Sequence, residues 1–248
     1  KSVTADMLTA YYSKGCESEG LFSGYEIAKD ESFKKYLNQY DVIHIDIQWF
    51  LTNCRDTVQI VNFITQSVLK ELRELYPGVF LTEEESLPEA LSIIREKLGY
   101  KFVVIIDEWD ILIRDEATNK AVQEEYIYFL RGLFKGTEPT KSIQLAYLTG
   151  ILPIKKEKTQ SALNNFDEFT MVSASTLAPF IGFTEEEVAV LCKTYNKDFG
   201  NIRRWYDGYR LSGLHIYNPF AVTNLILQGN FQSYWLQSGT YESVKDLI

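Results

Sequence analysis

Along the 248-residue chain the apolar positions follow two rhythms. Residues 3–14 carry Val3, Met7, Leu8 and Tyr11 at helical spacing and stop at Gly15, a residue suited to a left-handed cap. Residues 56–76 and 86–98 repeat that rhythm; Pro77 and Gly78 close the first, and Ser86 opens the second as an N-cap. A further helix is expected over about 119–135, ending at Gly136. Between these segments lie short β-rich runs at 42–47 (VIHIDI), 102–106 (FVVII), 144–148 (QLAYL) and 169–172. The run at 102–106 is apolar at every position, as expected of a parallel strand covered on both faces. Strands alternating with long helices predict βαβ units, and therefore an α/β fold with a parallel sheet and right-handed crossovers.

After about Gly182 the pattern changes. Thr184 to Glu187 (TEEE) reads as a capping box opening a helix to about Tyr195, and Asn218 with Pro219 opens another. With no obvious strand run between them, residues 1–182 are expected to form the α/β core and residues 183–248 a smaller, mainly helical, lid-like subdomain.

Composition narrows the function classes. The chain is 46% hydrophobic and 24% charged, which is globular and not disordered. No apolar run approaches the roughly 18 residues of a membrane span, and nothing resembles a secretory leader. Cys16, Cys54 and Cys192 are far apart and form no CxxC pair, so neither a disulfide framework nor a zinc site is indicated; a reducing cytoplasm is expected. A net charge of -9 argues against a surface that grips nucleic acid, leaving only a local basic groove such as Lys155, Lys156 and Lys158. The first residue is Lys1 and not Met, so a fragment of a longer polypeptide is expected.

The chemistry gathers in FVVIIDEWD, residues 102–110. In an open parallel sheet, ligands bind beyond the carboxyl ends of the strands, where Asp107 and Glu108 fall. An apolar strand ending in Asp-Glu is the Walker B pattern, whose Asp holds the Mg²⁺ of a nucleotide and whose Glu polarises the attacking water. Its partner, G-x-x-x-x-G-K-[ST], has no complete copy in the chain. Lys1-Ser2 followed by a helix is how that motif ends, so the first strand and the glycines of the loop are expected upstream.

With these pieces in order the sequence resembles the AAA-ATPase-like family of bacterial and archaeal proteins. These are P-loop ATPase domains of the AAA/STAND-like kind, often followed by a PD-(D/E)XK nuclease-like domain. Lys1-Ser2 matches the tail of the family's RRFGK[ST] loop, and Ile105-Ile106-Asp107-Glu108-Trp109-Asp110 its LIDEYD with Trp for Tyr. Thr149-Gly150-Ile151-Leu152, Lys156 and Ser161-Ala162-Leu163-Asn164-Asn165 match its TGhL…K…SxLNN stretch. Trp205 to Tyr209 with Tyr217-Asn218-Pro219 match its WYDGY and YNP. Pro153 stands where the family commonly has an arginine, which puts any charge-stabilising role of that position in doubt.

The resemblance implies ATP and Mg²⁺ as ligands, with Lys1 on the β- and γ-phosphates, Ser2 and Asp107 on the metal and Glu108 on the water. It places Thr149 as a polar sensor near the γ-phosphate. Arg203 and Arg204 are expected to reach the phosphates from the lid, since arginine suits developing phosphoryl charge, with surface ion pairing as the alternative. Asp110, His44 and His215 are expected to be structural, and the WYDGY aromatics to pack the lid. The leading expectation is an ATP-hydrolysing switch that acts on a downstream, nuclease-like domain, with homo-oligomerisation open. Two alternatives stand beside it. One is a nucleotide-sensing scaffold without turnover. The other is a metal-dependent nuclease centre, disfavoured because Asp107 and Glu108 are adjacent and no lysine follows at the required spacing.

Overall fold

The computed structural model describes residues 1–79, 82, 85–115, 119–153 and 163–234. The chain divides into two compact units, residues 1–167 and residues 168–248.

The first unit is built on a parallel sheet of three strands, β1 (Asp41–Asp46), β2 (Phe102–Asp107) and β3 (Ile143–Leu148), in the spatial order β1-β2-β3. The central strand β2 is buried at every position, which is why its sequence does not alternate. Phe102, Val104 and Ile106 pack on one face with Ile60, Ile64 and Leu72 of the Ile60–Leu75 helix, Leu91 and Ile94 of Leu87–Leu98, and Tyr126 and Leu130 of Lys120–Phe134. Val103 and Ile105 turn to the other face and meet Ala5, Leu8 and Tyr12 of the Ser2–Tyr12 helix. At roughly 1.5–3 kcal/mol per large buried side chain, two covered faces make β2 the strongest fixed point in the unit.

The two ends of the Ser2–Tyr12 helix settle its direction. The amide of Lys14 donates to the Tyr40 carbonyl just ahead of β1, while the Lys1 ammonium lies 3.3 Å from the Gly150 carbonyl beyond the end of β3. The helix therefore runs antiparallel to the strands and aims its amino end at their carboxyl ends. It stops at Tyr12, earlier than its spacing suggests, because Ser13 turns extended to bridge Tyr40; Gly15 is left-handed, but in the turn that follows.

The remaining sequence expectations align closely with the observed elements. Ser86 forms a capping box with Glu89, and Asn119 caps the Lys120–Phe134 helix through its side chain. The expected strand at 169–172 is absent: Thr170 and Ser173 pair only as an isolated bridge, and Val172 is 97% exposed. β-Rich residues without a neighbouring strand have nothing to pair with.

The second unit, which starts at residue 168 and not at 183, adds a small sheet to its helices. Beside the helices Glu185–Thr194, Phe199–Tyr206 and Pro219–Gln228 it holds an antiparallel sheet of β4 (Phe183–Thr184), β5 (Asp207–Leu211) and β6 (Leu214–Tyr217) in the order β4-β6-β5. β5 and β6 are joined by Ser212 and Gly213, whose φ of 49° and 86° match the twist of a two-residue hairpin turn. The helices pack through Val188, Cys192, Ile202, Val222 and Leu225 against Tyr206, Tyr217 and Tyr234. Among the described residues no helix is long and apolar enough to cross a membrane.

Candidate nucleotide site at the strand ends

β1, β2 and β3 run in parallel, so their carboxyl ends lie side by side, with Asp46 in register with Asp107. Asp46 turns away to cap the next helix, accepting from the Trp49 amide at 3.0 Å. Asp107 remains the buried carboxylate at the lip, 6% exposed. One of its oxygens accepts from the Glu108 amide at 3.1 Å and from the Thr149 hydroxyl, and the Ser2 hydroxyl also hydrogen-bonds to this carboxylate. Burial by itself would push its pKa up. The donors from Ser2, Thr149 and Glu108 outweigh that, so Asp107 stays below the ordinary carboxylate range and is ionised at neutral pH.

Glu108 follows with a φ of 52°, a left-handed conformation that costs a non-glycine residue about 1 kcal/mol or more. In a continued strand the side chains of Asp107 and Glu108 would point to opposite faces; the left-handed residue ends that alternation. One Glu108 oxygen lies 3.4 Å from the Lys1 ammonium, the other 3.1 Å from the Arg114 guanidinium. Lys1 and Ser2 are thus brought against Glu108 and Asp107 from more than a hundred positions away, at the start of a helix whose first amides have no partner within it.

β3 completes the lip. Thr149 is fastened to β2 through its backbone, its amide donating to Ile106 and its carbonyl accepting from Trp109. The next residue must be glycine: a Cβ on Gly150 would lie 2.6 Å from Asp110 Oδ1 and from two ring atoms of Trp109. Asp110 is fully buried, and its Oδ2 accepts from the Ile151 and Leu152 amides at 2.9 and 2.6 Å. The Tyr126 phenol, itself buried, has its pKa pushed up by burial first and by the Asp110 charge second.

The residues expected from sequence fall into two groups. Lys1, Ser2, Asp107, Glu108 and Thr149 converge in the first unit. Arg203 and Arg204 belong to the second, on the Phe199–Tyr206 helix, where Arg203 lies 3.7 Å from Glu185 and 4.0 Å from Asp207 and Arg204 is exposed. His215 is engaged in the same unit, with Nδ1 2.9 Å from Asp207 and Nε2 3.1 Å from Arg210. Leu163 is buried in the first unit's core, and the Asn165 amide donates to the Phe134 carbonyl at 3.1 Å. Lys155, Lys156, Lys158, Ser161 and Ala162 lie outside the described residues. Arg114 was not singled out from sequence; its legible signal is a spacing of four from Asp110, which stacks the two on one helical face.

Donor chemistry decides what this lip fits. A hydroxyl and an ionised carboxylate are hard oxygen ligands, too few to cage a metal but suited to Mg²⁺, which takes much of its shell from phosphate and water. An ammonium and free helix amides beside them suit the phosphates.

Comparisons with known proteins agree with that chemistry. The chain is 30% identical over 186 residues to a protein of Azotobacter chroococcum mcd 1 described as "Uncharacterized protein in vnfD 5'region". The match covers 73% of this chain and 36% of that protein, so the chain spans well under half the length of its relative. No solved structure matches. The family model AAA-ATPase_like, described as "Predicted AAA-ATPase", matches residues 1–159 and so takes in every converging residue of the strand-end site. The chain belongs to the predicted AAA-ATPase family.

Proposed function

We propose that the first unit is a P-loop-type NTPase core that binds ATP with Mg²⁺ at the ends of β2 and β3 and hydrolyses it. Membership of the predicted AAA-ATPase family points to nucleotide binding. The observation that carries the finer reading is the pairing of Lys1-Ser2 with Glu108-Asp107, two short motifs that meet only because the helix runs antiparallel to β2.

In this reading Ser2 and Asp107 hold Mg²⁺, which when bound neutralises phosphate charge. Lys1 and the first amides of the Ser2–Tyr12 helix take up the phosphate oxygens. Glu108 orients a water and accepts its proton. Thr149 keeps Asp107 ionised and fixed by donating to it. The nucleotide state is proposed to act on an effector domain of the whole protein. Three free cysteines, one of them exposed, fit a cytoplasmic setting.

A second reading, binding without turnover, is favoured by one feature: both Glu108 oxygens are engaged by cations. Turnover and Mg²⁺-dependent ATP binding by the full-length protein, wild type beside Glu108→Gln, separate the two. The hydrolase reading expects binding kept and turnover lost in the variant. Binding with no turnover in either protein supports the sensor, and no binding by the wild type overturns both.

A further inference from the structure

The two cations on Glu108 are not equivalent. Lys1 reaches it from a flexible side chain that is 44% exposed, at 3.4 Å. Arg114 reaches it at 3.1 Å from a side chain that is 13% exposed and held from behind, its Nε 3.3 Å from the fully buried Asp110. That 3.3 Å contact is an ion pair by distance and is not aligned as a hydrogen bond. Asp110 in turn accepts the Ile151 and Leu152 amides just beyond Thr149 and Gly150. The short helix Ile111–Asp115 that carries Arg114 is anchored by Ile111, Leu112 and Ile113, all buried. The guanidinium is therefore placed by core packing and by a buried carboxylate, whereas the ammonium, on a half-exposed side chain, has only the Gly150 carbonyl at 3.3 Å beside the contact itself.

Resting on the ATP-hydrolysis reading above, we propose that Arg114 is the positioning residue for Glu108. Anchored on Asp110, it fixes one carboxylate oxygen of Glu108. The other oxygen, now facing Lys1, is freed toward the reacting water when the ammonium turns to phosphate. The planar fork of arginine suits this role, because it spans two carboxylates at once, which a lysine point charge does poorly. The arrangement also gives the left-handed backbone at Glu108 a purpose, since it brings the carboxylate to the guanidinium six residues on.

The test uses the full-length protein with ATP and Mg²⁺, comparing wild type, Glu108→Gln, Arg114→Met, Arg114→Lys and the Glu108→Gln/Arg114→Met double variant. The expected result is a kcat lowered roughly tenfold or more in Arg114→Met with KM and ATP affinity little changed, since positioning acts on the chemical step. Arg114→Lys should recover part of the loss, and the double variant should be no slower than Glu108→Gln. Wild-type kcat in Arg114→Met overturns the proposal. So does an equal loss in both Glu108 backgrounds, or a loss of ATP affinity that Arg114→Lys fails to restore, because each marks a merely structural arginine. Should the wild type not hydrolyse ATP, the ATPase reading falls and this proposal with it; should Glu108→Gln hydrolyse ATP normally, Glu108 is not the group on the water and the proposal alone falls.

Discussion

Each unit holds a cluster of charged and polar side chains, and the two clusters are built differently. In the second unit Glu185, Arg203, Asp207, Arg210, His215 and Tyr217 satisfy one another across a single hairpin and its flanking helices. In the first, Lys1 and Ser2 meet Asp107 and Glu108 across more than a hundred residues, Glu108 sits in a left-handed conformation, and Asp110 Oδ1 is buried without a hydrogen-bond partner among the described residues. Local ion pairs that close on themselves serve a fold. Long-range pairs that keep a strained residue and an exchangeable cation at a strand end store a geometry for something else.

The comparison breaks most decisively at Glu108. Glu108→Gln should cut ATP turnover by about two orders of magnitude or more while leaving binding intact; unchanged turnover would make the Glu108 ion pairs structural, like those of the second cluster. Next in size are two glycines. Gly150→Ala forces a Cβ to 2.6 Å from Asp110 and Trp109, and Gly182→Ala forces one to 2.6 Å from the Tyr217 carbonyl. Each should cost roughly 1–3 kcal/mol in urea titrations. Gly150→Ala should also depress turnover, and Gly182→Ala should not.

A smaller effect separates the clusters by pH. Asp107 is held below its ordinary range by its donors despite burial, so the fold favours its ionised form. That contribution is complete above the unfolded value of about 4 and is lost as the pH falls through the lowered native value. Thermal melts from neutral pH into the acid range should show the wild type losing more stability than Asp107→Asn. In the second unit His215→Ala removes a part-buried contact to Asp207 and an exposed one to Arg210, and should cost about 1 kcal/mol with turnover unaltered. The smallest expected change in stability is at Arg203. Its long, half-exposed ion pairs are worth at most about 0.5 kcal/mol, so Arg203→Ala should leave thermal and urea unfolding nearly unchanged.

Much of the architecture is legible without coordinates because its signals are local. The uninterrupted apolar run of 102–106 requires cover on both faces, and the Ile60–Leu75, Leu87–Leu98 and Lys120–Phe134 helices announce themselves by spacing and caps. The hairpin of β5 and β6 was missed because its strands are five and four residues long; Ser212-Gly213 was the readable turn signal. At the site, Asp107, Glu108 and Lys1-Ser2 were nameable from pattern, but Arg114 and the demand for glycine at 150 were not.

What the sequence determined by itself is therefore the alternation of strands and helices, the acids at the end of β2 and the presence of a Lys-Ser pair at a helix start. Each is encoded within about a turn of chain. Only the tertiary structure decided that this helix start lies against those acids, that Arg114 bridges Glu108 and Asp110, and that Asp46, in register with Asp107, turns aside as a cap. Such facts depend on the register of parallel strands and on which face each helix covers, and these are set by packing the whole core at once.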